Sequence, residues 1–558
     1  MLRDPSQFTL LPDSGRLRAF VPLGNFLGLI LVAVLGCQPA PVAAPVPRVI
    51  HQIQGRVVDD DGPVAGATVR WQTSTQHTTT NAKGEFTLHQ PAHDLPQASP
   101  RRVTAAKPGY YIGGSAVSED ALLSQSLTIS LRRLPMSDDA SYRWIAPDPN
   151  EQVEFACGNC HPAILEEWRG TAHASSAANP RFLSLLTDTH PNNSSAAGRI
   201  PPASPFDWSL ARELPHGVAV CASCHSPTEV AGVSLEPLAS HDIDDRTAGD
   251  QPRASGIHCD FCHKIADVSL THLGHSHGVF AMRLLRPSTG QLFFGPLDDV
   301  DRGDESMLPL QRESRLCASC HEGVLFGVPV YTTFREWQAS PAGRAGKQCQ
   351  SCHMTPTGQM TRMASGDDAP DRSPETLASH QLFARGIESM LRRAVRTTAH
   401  WKRSSSPSES IEATLRIVAE DVGHRVPTGF IDRHLVLRVE AYDAAGHPAR
   451  QTMGPQLPVF TGLDDAGKPG RLFARILRDP AGHSPAPFWR PGVVETEDSR
   501  LIPGQPVEVR FQFESTAAGS RIERLRVRLE YRRFWDSVVR EKQWDAPAIM
   551  VFDREYEL

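Results

Sequence analysis

Five copies of one short motif constrain this chain more than any other feature of its sequence. Ten of its eleven cysteines form pairs spaced three residues apart, and a histidine directly follows each pair. The cysteine pairs are Cys157/Cys160, Cys221/Cys224, Cys259/Cys262, Cys317/Cys320 and Cys349/Cys352, and the histidines are His161, His225, His263, His321 and His353. Any fold of this chain must therefore accommodate five Cys-x-x-Cys-His turns.

The histidine that follows each pair separates the chemistries that use paired cysteines. Two cysteines at the start of a helical turn can form thioethers to the two vinyl groups of a porphyrin, and the next histidine then lies under the iron. A structural zinc site needs two pairs, or one pair with two histidines, so an odd number of identical pairs fits it poorly. A thioredoxin-like centre needs one pair only, and structural disulfides leave the histidines unexplained. The repeats favour five covalently bound haem c groups, with the five motif histidines as proximal ligands.

The segment that carries the motifs, residues 150–402, lacks sustained hydrophobic periodicity and contains many Gly, Pro, Ser and His residues. A chain of this kind does not bury enough apolar surface to fold well by itself. We expect a multihaem domain with short helices and much loop, in which the five porphyrins supply the missing core.

The flanking segments alternate apolar and polar residues, as half-buried strands do. We therefore expect a multidomain protein with an all-β sandwich at residues 53–135 and a second all-β sandwich at residues 409–558. The phrases GRVVDDDGPVAGATV and TTTNAKGEFTL of the first sandwich resemble the carboxypeptidase regulatory-like domain. That resemblance implies an accessory module without chemistry of its own.

The odd cysteine, Cys37, ends the apolar run FLGLILVAVLGC. The run is too short for a transmembrane helix, which needs about 20 residues, and it fits the core of a signal peptide. VLGC resembles a bacterial lipobox, which predicts a leader at residues 1–37 and lipidation of Cys37. Ordinary secretory cleavage and a buried free thiol are the alternatives. Residues 38–52 are read as a Pro/Ala-rich linker.

These features predict an exported lipoprotein on the periplasmic side of the cell envelope, in the outer membrane by family analogy. The formal net charge of −6 gives no electrostatic support to a nucleic-acid partner. We expect redox proteins as partners, either other cytochromes or a quinol-linked reductase, and a membrane contact through the lipid.

Residues 151–400 resemble the multihaem c-type cytochromes related to the tetrahaem electron acceptor of hydroxylamine oxidoreductase. The phrases that match are CGNCHPAILEEWRGTAHASSA, GIHCDFCHKI, SHQLFARG and the stretch around the fourth and fifth motifs. The resemblance implies electron transfer through stacked haems. It also implies second axial ligands, because coordination by two histidines favours electron transfer and an open position favours substrate chemistry.

The distal candidates come from that resemblance and from the spare histidines. His173 and His380 match distal-ligand phrases of the family, and His424 lies in GHRVPTGF, a phrase that recurs in related cytochromes. His258 abuts Cys259 and is held near a neighbouring haem. One of the histidines in THLGHSHG is the fifth candidate, taken as His275. His272 and His277 are the other candidates in that stretch. The reserves are His216, His241 and His400, and a methionine ligand, Met354 or Met360, is a further alternative.

Two functions remain open from the sequence. The first is a pentahaem cytochrome that carries electrons along its haems, without catalysis. The second is a multihaem oxidoreductase that acts on a small nitrogen or sulfur compound at one five-coordinate haem. No attachment motif is unusual, and Tyr331 is the tyrosine best placed for a catalytic role. Assembly into filaments is a third possibility.

Overall fold

The structure is a computed structural model that describes most of the chain after residue 51. The described ranges are 52–89, 101–117, 126–149, 155–187, 206, 208–213, 218–231, 256–366, 369–382, 387–404, 410–516 and 520–558. The predictions for the leader with Cys37, for the linker up to residue 51, and for His216 and His241 lie outside them. The described residues belong to the unit Ile50–Leu558.

Eight strands form the N-terminal β-region. They are β1 (Gln52–Asp59), β2 (Gly62–Pro63), β3 (Thr68–Trp71), β4 (His77–Thr79), β5 (Glu85–His89), β6 (Arg101–Ala106), β7 (Gly113–Val117) and β8 (Leu127–Ser130). One sheet has the order β2-β1-β5 with β8 parallel to β1, and the other has the order β4-β3-β6-β7. Val57 and Ile129 of the first sheet and Trp71 and Val103 of the second share one core. This is the all-β sandwich that the alternation predicted.

The middle segment, residues 155–394, holds short helices joined by loops and small sheets. The helices are α1 (Cys157–Cys160), α2 (Pro162–Arg169), α3 (Pro180–Thr187), α4 (Leu210–Glu213), α5 (Val218–His225), α6 (Pro227–Val230), α7 (Cys259–Cys262), α8 (Arg315–His321), α9 (Thr333–Ala339), α10 (Pro341–Arg344), α11 (Cys349–His353) and α12 (Ile387–Ala394). The strands are β9 (Ile265–Val268), β10 (Met282–Leu284), β11 (Phe293–Gly295), β12 (Glu305–Met307), β13 (Gly323–Leu325) and β14 (Val328–Tyr331), which pair two by two. Short helices are what the missing periodicity predicted.

The C-terminal β-region contains two four-stranded sheets around one core. Its elements are β15 (Val395–Arg403), β16 (Ser410–Ala419), β17 (His434–Asp443), β18 (Arg450–Met453), β19 (Gly470–Phe473), β20 (Arg475–Arg478), β21 (Val494–Asp498), β22 (Val507–Glu514), β23 (Ile522–Arg532), α13 (Asp536–Glu541) and β24 (Ile549–Glu557). The orders are β15-β16-β22-β18 and β19-β17-β23-β24, and β20 pairs with β21. Leu415, Phe511, Leu437 and Val527 of the two sheets meet in the core.

This β-region begins before the predicted boundary at residue 409. β15 pairs with β16 along its whole length, although residues up to 402 were assigned to the multihaem domain. β15 is an edge strand of mostly exposed polar residues, so it carries little of the alternation that identifies a strand.

Shared cores join the three regions. Trp208 and Val330 of the middle segment pack in one apolar cluster with Trp489 and Trp535 of the C-terminal β-region. A smaller cluster joins Tyr111, just before β7, to the middle segment. The division into three separate domains therefore stays a prediction. In the described part of the chain, no helix has the length and apolar character needed to cross a membrane.

Candidate functional site

Each Cys-x-x-Cys-His motif folds as the helical turn that its spacing predicted. The paired cysteines lie three residues apart on α1, α5, α7, α8 and α11, so both thiols are neighbours on one helix surface. His225, His321 and His353 are the last residues of α5, α8 and α11, and His161 and His263 directly follow α1 and α7. All ten cysteines are free thiols in this structure, and Cys160 and Cys352 are the exposed ones.

Three motif histidines are fixed by a backbone carbonyl. The Nδ1 atom of His161 lies 2.7 Å from the Met363 oxygen, that of His225 lies 3.2 Å from the Ser176 oxygen, and that of His263 lies 2.5 Å from the Phe294 oxygen. A carbonyl oxygen only accepts, so Nδ1 carries the proton and Nε2 keeps its lone pair. This is the second contact that metal-bound imidazoles usually make, and it orients the ring.

Two predicted distal histidines face motif histidines at the distance of an axial pair. The ring centres of His173 and His321 are 6.3 Å apart, and those of His353 and His424 are 6.2 Å apart. Two imidazoles on opposite sides of one metal ion should have centres about 6 Å apart, because each metal–nitrogen bond is about 2 Å and each ring centre lies about 1 Å beyond its nitrogen. Both pairs therefore leave room for one iron between them.

His380 lies near two motif histidines. Burial lowers the pKa of His380 to about 4, and the imidazoles of His263 and His161 add to this effect. Its Nδ1 atom is buried without a hydrogen-bond partner, and its backbone N–H donates to the Glu167 carboxylate at 2.6 Å. A buried, neutral and unpaired imidazole costs free energy unless a partner takes its lone pair. His380 fits the ligand role predicted for it.

His258 is buried with an unpaired Nδ1 atom, and its ring makes an edge contact with Trp144 at 5.8 Å. Burial lowers the pKa of His258 to about 4. The ring is therefore neutral at pH 7, as a metal ligand must be. The described contacts do not assign it to a particular motif histidine.

In THLGHSHG the structure favours a different histidine from the predicted His275. His275 and His272 are exposed, whereas both ring nitrogens of His277 are buried and lie close to the backbone of Gly274, His275 and Val220. The next residue, Gly278, has φ +57°, and a Cβ atom there would lie 2.4 Å from the Ser223 hydroxyl. This contact presses the loop against the second motif. In the sequence, the glycine directly after His277 could have indicated that the backbone there lies close to another segment. The three histidines of THLGHSHG do not by themselves distinguish this position from the other two.

Burial lowers the pKa of four motif histidines, which are His225, His263, His321 and His353. Burial lowers the pKa of His321 to about 4 and that of His353 to about 3, with neighbouring histidines adding to both shifts. Neutral imidazole is the form that binds a metal ion.

A buried ion pair supports the third motif. The Lys264 ammonium contacts the Asp260 carboxylate, and both side chains are fully buried. Asp260 also accepts hydrogen bonds from the Tyr142 hydroxyl at 3.0 Å and the Ile145 N–H at 2.8 Å. A buried pair is tolerated when further hydrogen bonds satisfy it in this way.

The motifs are neighbours in space. Three cysteines each lie within hydrogen-bond distance of a cysteine from another motif, and this contact is the main cause that raises their pKa. The pairs are Cys157 with Cys259, Cys224 with Cys320, and Cys317 with Cys349. Cys320 also raises the pKa of Cys262, after burial. The first motif thus adjoins the third, the third adjoins the fourth, and the fourth adjoins the second and the fifth. Within the described ranges, no three His, Cys, Asp or Glu side chains form a bare metal site.

Comparison with known proteins identifies one domain and one shared fold. Residues 52–131 match the carboxypeptidase regulatory-like domain family. The fold is similar to the crystal structure of a penta-heme cytochrome c552 from Thermochromatium tepidum, with a TM-score of 0.50 and 20% identity over 72% of this chain and 97% of that chain. A structural-genomics target overlaps 29% of this chain and 84% of its own chain at 8% identity and a TM-score of 0.12. That TM-score is too low to indicate a shared fold. No curated protein matches the sequence. The N-terminal β-region is therefore a carboxypeptidase regulatory-like domain, and the larger part of the chain shares the fold of a multihaem cytochrome.

Proposed function

We propose that this protein is a pentahaem c-type cytochrome that transfers electrons along its covalently bound haems. The observation that carries the proposal is the placement of His173 and His424 at axial distance from His321 and His353. An iron held by two histidines has no free coordination position for a substrate, and such haems favour electron transfer. The similar fold of the penta-heme cytochrome supports the same conclusion.

The residues present fit haem c at each motif. The thioether ligands are the ten paired cysteines, and the proximal ligands are the five motif histidines. We assign His173 to the haem of His321, His424 to that of His353 and His380 to that of His263. We assign His258 and His277 to the two remaining haems, and prefer His277 to the predicted His275 because its ring nitrogens are buried whereas His275 is exposed. When bound, haem c supplies an iron that accepts and releases one electron, with a potential tuned by its axial ligands.

The protein side chains would bind the haem iron, orient the imidazole rings and exclude water. The carbonyl contacts at Nδ1 of His161, His225 and His263 keep Nε2 available and fix the ring plane. With haem bound, the distal histidines would hold the iron together with the motif histidines and would keep water and small substrates away from it.

The location and the partners belong to the proposal on sequence grounds. The apolar run that ends at Cys37 supports export and a lipid anchor at the periplasmic side of the envelope. The partners would be other cytochromes or a quinol-linked reductase. The relation to the tetrahaem acceptor of hydroxylamine oxidoreductase is part of the same proposal.

One observation favours the oxidoreductase alternative. Tyr331 is partly buried next to the second and fourth motifs, and desolvation raises its pKa, with Cys224, Cys221 and Cys320 among the neighbouring groups. A tyrosine beside an open iron could assist substrate chemistry. This alternative needs one haem without a distal histidine.

A reductive titration tests the proposal. The purified protein is reduced stepwise under anaerobic conditions while its visible haem bands are recorded, and its haem content is measured as the pyridine haemochrome. We expect five haems and five one-electron equivalents per chain. Fewer than five haems per chain would contradict the proposal. A protein that contains zinc and no haem iron would contradict it as well.

A further inference from the structure

A cluster of four charged side chains, of which Arg500 and Glu336 are buried, fixes the loop of His424 to the middle segment. Arg500 Nη2 lies 2.7 Å from Glu336 Oε1, on α9, and the same guanidinium makes two hydrogen bonds of 2.9 Å to Asp498. Arg425 Nη1 lies 3.0 Å from Asp498. The side chains of Arg500 and Glu336 are only 5% and 6% exposed. The two cations balance the two carboxylates, and breaking the buried Arg500–Glu336 pair is costly.

The Glu336 carboxylate is the centre of the cluster. Its Oε1 atom accepts from the Thr332 hydroxyl at 2.5 Å in addition to Arg500. Its Oε2 atom accepts from the Thr428 hydroxyl at 2.8 Å and from the backbone N–H of Arg425 at 3.3 Å. Because both oxygens are engaged by donors from two regions of the chain, the carboxylate defines one position of the loop relative to α9.

The peptide groups of Arg425 link this carboxylate to the imidazole. The Arg425 N–H is held by Glu336, and the Arg425 carbonyl oxygen lies 3.0 Å from His424 Nδ1. The carbonyl accepts the Nδ1 proton, so Nε2 keeps its lone pair. The ring centre of His424 then lies 6.2 Å from that of His353. Gly423 reinforces this position, because a Cβ atom there would lie only 3.4 Å from the Trp337 ring of α9.

We propose that Glu336 is the positioning residue for His424: with Arg500 it holds the loop against α9 so that the imidazole stays at axial distance from His353. Loss of this anchor opens that coordination position to a small neutral ligand such as imidazole. The inference rests on the proposed function, since it requires an iron bound by His353. It adds that Glu336 and Arg500, which do not contact the iron themselves, determine whether His424 stays close enough to His353 to hold the fifth haem.

The test compares spin states in variants that keep all five motifs. Glu336→Gln keeps the shape of the side chain and removes its charge, and His424→Ala is the benchmark for an open position. We expect Glu336→Gln to retain five haems, to convert one of the five low-spin EPR signals to high-spin and to recover it with added imidazole. Glu336→Asp should restore part of the low-spin signal. Arg526→Gln breaks a surface ion pair with Asp553 in the same β-region, and this control should leave the spectrum unchanged.

The outcomes separate this inference from the proposed function. If His424→Ala creates a high-spin haem and a well-folded Glu336→Gln does not, the positioning role is wrong and the ligand assignment stands. If His424→Ala leaves all haems low-spin, the assignment of His424 fails, and the inference fails with it. Should Glu336→Gln not assemble, Thr428→Val removes one hydroxyl donor without a charge. We then expect faster binding of imidazole than in the wild type, and an unchanged rate would overturn the proposal.

Discussion

The N-terminal and C-terminal β-regions are both two-sheet sandwiches, but they join the middle segment by different means. The N-terminal β-region docks largely through polar contacts to the loop before β12. Arg70 lies 2.7 Å from Asp298, the Thr73 N–H donates to Asp299 at 2.7 Å, and Arg102 pairs with Asp301. The C-terminal β-region shares an apolar core with the middle segment and contributes His424.

The difference indicates how each region relates to the iron sites. Apolar burial dominates folding energies, whereas polar contacts exchange one set of partners for another at modest net gain. Under the proposed function, the sandwich that shares a core and carries His424 belongs to the redox unit. The sandwich that docks by arginine–aspartate pairs would then be an accessory module.

Trp208→Ala should produce the largest effect. Trp208 is 1% exposed and meets the ring of Trp489 edge-on at 6.0 Å, so its removal leaves a cavity between the middle segment and the C-terminal β-region. We expect a loss of about 3–5 kcal/mol in the free energy of unfolding, with parallel loss of the haem bands on heating. Trp71→Ala, in the N-terminal core, is the matched variant and should unfold that region alone. A Trp71→Ala protein that loses its haem bands at the same temperature would remove the contrast.

Asp299→Asn should loosen the N-terminal β-region. Asp299 is buried, accepts from the Thr73 N–H and pairs with Arg372 at 2.9 Å, so the substitution leaves a buried arginine without its partner. We expect a loss of about 3 kcal/mol, measured by urea unfolding, and faster proteolysis between the N-terminal β-region and the middle segment. Asp371→Asn breaks the exposed pair with Arg362 and should change little. Equal effects of the two substitutions would show that Asp299 does not anchor the domain.

Asp432→Asn should change the pH dependence of the C-terminal β-region. Burial raises the pKa of Asp432 from 3.8 to about 7, with Trp535 opposing the shift. The carboxyl is protonated in the folded state, so its contribution is complete below pH 4 and is lost as the pH rises to about 7. We expect wild-type stability to fall by about 2 kcal/mol more than that of the variant between pH 5 and pH 7. Parallel stability curves for the two proteins would contradict a neutral Asp432.

Arg526→Gln and Arg56→Gln should produce the smallest effects. Arg526 pairs with Asp553 and Arg56 pairs with Glu85, one pair on each sandwich surface. Exposed pairs contribute little to stability, because water screens them and ordering the side chains opposes them. Thermal melts should shift by equal, small amounts. A large shift in one variant only would show that a surface pair, and not the shared core, distinguishes the two regions.

Local patterns predicted much of this fold, and long-range contacts escaped them. The spacing of Cys157, Cys160 and His161 determines a helical turn, and the alternation around Val57 determines a strand, because both signals lie within a few residues. The pairing of β15 depends on β16, and its own polar sequence does not reveal it. The preference for His277 over His275 depends on the close approach of Gly278 to Ser223, which lies more than fifty positions earlier in the chain. The link from Glu336 to His424 is likewise formed only by folding.

The most direct test of the account is a low-temperature EPR spectrum of the oxidised wild-type protein, with haem content determined on the same sample. The account predicts five haems per chain, all low-spin, with no change on adding nitrite, hydroxylamine or cyanide. A high-spin haem that responds to one of these ligands would contradict it. Such a haem would make the protein an oxidoreductase with an open iron, and one of the five distal histidines would be assigned wrongly.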